Sequence, residues 1–123
     1  MNMATGIASG QSDVALNAIR TDTPYIQLHI GDPGAAGTAN LATETTRKAV
    51  TFAVASGGSM SNSASVTWTN IAGSQDATHF SIWNAATAGT FKYSGTITAN
   101  PYTAGDTYTA AIGGIVLTIT GAA

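Results

Sequence analysis

The chain has 123 residues, a length that suits one domain, with 44% hydrophobic residues, only 8% charged residues and a formal net charge of −2. Globular domains usually carry about 25% charged residues; here Thr, Ser, Asn, Ala and Gly fill the gap, which excludes charge-driven disorder. The cations are Arg20, Arg47, Lys48 and Lys92, too scattered to follow a nucleic-acid backbone, and the absence of cysteine removes disulfides and thiolate metal sites.

Residues 1–10 (MNMATGIASG) have neither a basic start nor a long apolar run, so the reading is cytosolic synthesis without a signal peptide. The longest apolar run, residues 110–119, is about half a membrane span, so no membrane partner is expected. Ser12 and Asp13 can cap a short helix carrying Val14, Leu16 and Ile19. That helix reads as a lid over one end of a β core or as an arm that docks on a neighbouring subunit. Residues 1–24 are therefore expected to be an N-terminal arm with a short helix, and 25–123 a β domain. Ile7, Val14, Leu16 and Ile19 are the candidate interface residues.

From Tyr25 the pattern turns to strand, with Tyr25, Gln27 and His29 on one face and Ile26, Leu28 and Ile30 on the other. The strand stops at Gly31-Asp32-Pro33-Gly34. Pro33 fixes its own φ and pushes Asp32 out of the helical region, the glycines allow positive φ, and the Asp32 carboxylate can accept nearby backbone N–H groups. Strands are then expected over 49–55, with Val50, Phe52 and Val54 on one face, and over 65–71, with Val66, Trp68 and Asn70 on one face. Residues 56–63 read as turn material around Gly57-Gly58. Further strands are expected over 78–84 and 90–98, Gly95 marking a bulge or a close backbone approach. Residues 107–112 and 115–120 flank Gly113-Gly114 and read as a hairpin. About seven to eight short strands with Gly- or Pro-bearing turns and no βα alternation predict an all-β fold, an antiparallel β-sandwich or small barrel.

No constellation carries obvious chemistry. His29 and His79 match no metal-ligand spacing, and the acidic residues fall in turns, loops or a helix cap instead of facing across a cleft. There is no Gly-x-Ser-x-Gly elbow and no phosphate loop. Neither a cofactor nor enzymatic activity is expected. His29, Asp32, Pro33, Gly34, Glu44 and Arg47 read as a structural corner, with the Arg47 guanidinium pairing with Asp32, Glu44 or both. Trp68, Trp83, Tyr25, Tyr93, Tyr102 and Tyr108 can form a sugar-stacking face, or serve as core and interface groups.

The blocks LHIGDPGAAGTAN, ETTRKAVTF, HFSIWNAATAGTF and AGDTYTAAIGGIVLTIT, in this order, resemble a family of small tailed-phage virion proteins, of actinobacteriophage type, labelled tail-fibre or minor tail proteins. The resemblance spans about Tyr25 to Thr120; Asn84 stands where Asp is frequent, and Lys92-Tyr93 occupy a more apolar slot. It implies a non-enzymatic structural protein of the virion that binds other virion proteins through a rigid β face and the N-terminal arm. The alternatives are a capsid decoration protein on the head shell, of a kind that often assembles as trimers, and a module that binds host surface glycans.

Overall fold

The computed structural model describes residues 6–119, and expectations for residues 1–5 and 120–123 lie outside them. The chain forms one helix, α1 (Ser9–Arg20), and the strands β1 (Tyr25–His29), β2 (Lys48–Ala49), β3 (Ser59–Ser61), β4 (Val66–Trp68), β5 (His79–Trp83), β6 (Phe91–Thr96), β7 (Tyr108–Ala110) and β8 (Val116–Thr118). All pairings are antiparallel. A four-stranded sheet of order β2-β1-β5-β6 is joined by two ribbons, β3-β8 and β4-β7. Ile26, Leu28, Phe80 and Ile82 from the sheet share one core with Met60, Leu117, Val66, Trp68 and Tyr108 from the ribbons. The expected small antiparallel sandwich is what forms, and its described strands do not close into a barrel.

α1 belongs to that core. Ser12, Leu16 and Ile19 are spaced i, i+4, i+7 and turn inward; Leu16 is 0% exposed and Ile19 packs on the cluster. Asp13 does not cap its own helix, which begins after Ala8. Its carboxylate instead accepts the Gly58 N–H at 2.7 Å. One turn on, Asn17 Oδ1 accepts the Ala55 N–H at 3.0 Å. The helix is thus pinned by hydrogen bonds to the loop before β3 as well as by apolar burial.

Three local expectations fail. The strand over 49–55 shrinks to Lys48–Ala49, and alternation ends before Val54, which is 67% exposed while Ala55 is buried. The strand over 65–71 ends at Trp68, because Asn70 takes φ 50° and turns Ile71 inward in its place. The Gly113-Gly114 turn exists, but its arms do not pair with each other: β7 pairs β4, and β8 pairs β3. The wedge is Asn62. Its amide donates to Ala64 and Ala111 carbonyls, each at 2.9 Å, and its Oδ1 accepts the Ile115 N–H at 3.0 Å. The Ile115 N–H is a group that a hairpin ladder around Gly113-Gly114 would need. Residues 56–63 are accordingly more than a turn, since β3 and this wedge lie within them.

Of the six aromatic side chains offered for a sugar-stacking face or for the core, four are enclosed and Tyr25 and Tyr93 are half-buried. Trp68, Trp83, Tyr102 and Tyr108 are buried, and the Trp68–Tyr108–Tyr102 rings pack at centroid distances of 5.7 and 5.3 Å. Gly95 is a close-approach glycine: a Cβ there would stand 2.9 Å from the Phe80 ring. The bulge between β5 and β6 lies further along, at Ile82/Trp83.

Candidate functional site

On the second face of the sheet the Gly31–Asn40 segment folds back over His29, and Thr45 and Arg47 meet Gln27, so both are buried although they face away from the main core. Asp32 Oδ1 accepts the Gly34 N–H at 2.8 Å, and Asn40 Nδ2 donates to the Asp32 carbonyl at 2.9 Å. Gly34 and Gly37 take φ 76° and 73°, and a Cβ on Gly37 would strike the Phe91 ring at 2.5 Å. Pro33 is fully buried.

Beneath the segment lies a polar chain. His29 Nδ1 meets the Ala39 carbonyl at 2.8 Å and Nε2 meets Ser81 Oγ at 2.7 Å. A carbonyl only accepts, so these partners assign the proton to Nδ1; Nε2 then accepts the Ser81 hydroxyl. Ser81 Oγ in turn accepts the Trp83 indole N–H at 2.8 Å. Burial pulls the His29 pKa below its usual value, against the opposing pull of the Ala39 bond. The Ser81–His29 spacing is that of a nucleophile and its base. Both side chains are 0% exposed, however, and the second ring nitrogen faces a carbonyl instead of a carboxylate. The chain holds a loop against a sheet.

The expected guanidinium–carboxylate clamp does not form among the described residues. Arg47 Nε donates to Gln27 Oε1 at 3.2 Å, and Nη1 donates to the Ala85 and Ala88 carbonyls at 3.0 and 2.6 Å. The guanidinium carbon lies 4.1 Å from the Trp83 ring centroid. Arg47 thus fastens the 84–89 turn and stacks on an aromatic face. Glu44 faces elsewhere, accepting the N–H groups of Ala72 at 3.1 Å and Thr46 at 3.2 Å. Burial pushes its pKa up, but those bonds and the Lys48 charge together outweigh this and leave it lowered. The corner residues therefore divide into three attachments: Asp32, Pro33 and Gly34 shape the turn, His29 seats it, and Arg47 and Glu44 hold two other loops. Sequence reading missed the parts played by Gln27, Ser81 and Asn62, and that Trp83, singled out as an aromatic, lies under Arg47. The signal for Asn62 was present, since Met60 and Asn62 alternate with serines as core-facing strand positions do.

Of the candidate interface residues, Leu16 is unavailable because it fills the chain's own core; Val14, on the opposite helix face, is 58% exposed, and Ile7 is also exposed. No group of three or more His, Asp or Glu side chains among the described residues is placed to hold a metal ion. No helix among the described residues is long and apolar enough to cross a membrane.

A family model described as podophage GP4 fiber I protein gp80 matches residues 12–118. The chain belongs to this family. The match covers most of α1 and every strand, so the gp80 fibre family's unit includes the helix along with the sheets. It agrees with the virion-protein resemblance carried by the sequence blocks; its description names a podophage and does not speak to an actinobacteriophage type. Membership in a phage fibre family implies association with other virion proteins. No curated protein matches the chain.

Proposed function

We propose that the chain is a non-catalytic subunit of a podophage fibre, acting by presenting a rigid β body and the outer face of α1 to neighbouring virion subunits. The family match over residues 12–118 carries this reading. It favours a fibre over a minor tail or capsid decoration role, because a fibre is what the family description names. The surface supports contact by apolar burial and backbone hydrogen bonds, since Val14, Val54 and Ile7 are exposed and few charges exist for ion pairs.

Two measurements test it. Quantitative mass spectrometry of purified particles is expected to find copies in numbers that suit tail appendages; hundreds of copies, or labelling of the head in electron micrographs, would overturn the fibre reading. For the helix, truncation is a poor tool because it removes Leu16 from the core. Val14→Glu leaves that core intact and is expected to lower incorporation into particles while the purified protein melts as wild type. Normal incorporation would remove α1 from the interface.

A further inference from the structure

The outer edge of β6 is open. β6 ends the four-stranded sheet, and its inner side is set by the bond from the Ile97 N–H to the Thr78 carbonyl at 3.0 Å. Alternation in an antiparallel ladder then turns the N–H and C=O groups of Ser94 and Thr96 away from β5. The neighbouring edge of β8 is similar. Bonds from Asn62 N–H to Ile115 O and from Ile119 N–H to Gly58 O turn the backbone groups of Val116 and Thr118 away from β3. Among the described residues the two edges are linked by one side chain: the Tyr93 hydroxyl donates to the Thr118 carbonyl and accepts the Thr118 N–H, both at 3.0 Å.

A cleft of about 690 Å³ runs along this seam, lined by Gly95, Thr96, Ile97, Thr98 and Val116 among others, and continues past Ile97, Thr98 and Gly114 into a second of about 460 Å³. None of the lining residues is charged. Exposed edges are usually blunted by charge, Pro or a covering segment. Here the charge on β6 is Lys92, near its start, and Asp22 holds it at 3.1 Å. The exposed apolar residue Val116 lines the same seam.

We infer that β6 pairs antiparallel with β6 of a second copy of this chain, about a two-fold axis at Thr96. An uncharged cleft disfavours a charged occupant, which would lose its hydration without gaining a partner. Residues 93–98 (YSGTIT) form such an uncharged strand, and every copy carries it. Thr96 lies at the middle of the lining stretch 93–100. With the axis there, Ser94 meets Thr98 and Lys92 meets Asn100, so no like charges face each other. The pairing extends the sheet across two subunits and covers Val116. It deepens the proposed assembly role, on which its biological setting rests.

The test uses the purified full chain in sedimentation, so its failure leaves particle incorporation a separate question. The wild type is expected to form dimers. Thr96 is exposed, so Thr96→Lys and Thr96→Glu are expected to fold with unchanged melting but to associate at least about tenfold more weakly, because like charges meet at the axis. Mixing the two variants in equal amounts is expected to restore association, since the introduced ammonium then faces the introduced carboxylate. A wild-type monomer, a trimer, variants that dimerise as well as wild type, or a mixture that stays monomeric would each overturn the pairing.

Discussion

A single buried amide, Asn62, keeps two strands apart that their own turn would join, so its removal should be felt far from its position. Asn62→Ala leaves the buried Ile115 N–H without its partner, a loss of about 1–3 kcal/mol of stability, readable as a lowered urea midpoint. His29 gives a pH prediction. Its folded pKa is lowered below 6.5, so the unfolded chain binds the proton more readily. The stability His29 contributes is fully present above about pH 6.5 and declines as pH falls toward the folded value, with a slope of at most about 1.4 kcal/mol per pH unit. His29→Gln should flatten that part of the curve. Glu44, also lowered, works at more acidic pH: its contribution is present above its ordinary value of 4.5 and is lost as pH falls through the folded pKa. Equilibrium unfolding measured from neutral to acidic pH, with and without the His29 substitution, separates the two.

At the scale of the element, α1 shows how one helix divides its faces. Leu16→Ala should cost about 2–5 kcal/mol, because the side chain is fully enclosed. Val14→Ala, on the solvent side, should stay within about 0.5 kcal/mol. If both cost alike, the helix is not seated as described. The helix and its apolar spacing were legible in the sequence, since periodicity belongs to the residues themselves. Its docking by Asp13 and Asn17 was not, because those side chains bond to loop residues about 40 positions away. The strands follow the same division. β1 and β5 were readable from alternation. The early ends of β2 and β4 were not: alternation broke before Val54, and a positive φ at Asn70 was a possibility the residue permits without demanding. The Gly113-Gly114 turn was visible, but its strands took partners elsewhere because a long-range amide competed successfully for the local hydrogen bonds.

Taken as a whole molecule, the chain combines one shared core with open strand edges at β6 and β8. Because α1, the sheet and both ribbons share one core, unfolding should be a single cooperative transition, with helix dichroism and tryptophan fluorescence giving coincident midpoints. A separate, earlier loss of helix would mean that residues 9–20 are an independent arm. The closed core turns Trp68, Tyr102 and Tyr108 into packing groups, and Trp83 is packed on the other face of the sheet under Arg47, so substituting them should lower stability before it alters any surface contact.

By itself the sequence determined the fold class, the turn-forming corner at Asp32-Pro33, and, through ordered blocks, the kind of particle the chain serves. Each of these is written in local periodicity, in the restricted backbone of Pro and Gly, or in residue identity. The tertiary structure alone decided that Arg47 stacks on Trp83 without pairing with a carboxylate, that Asn62 parts β7 from β8, and that β6 keeps a free edge. Those outcomes depend on which distant groups compete for a hydrogen bond once the core has closed, and one-dimensional order does not encode that competition in any single stretch.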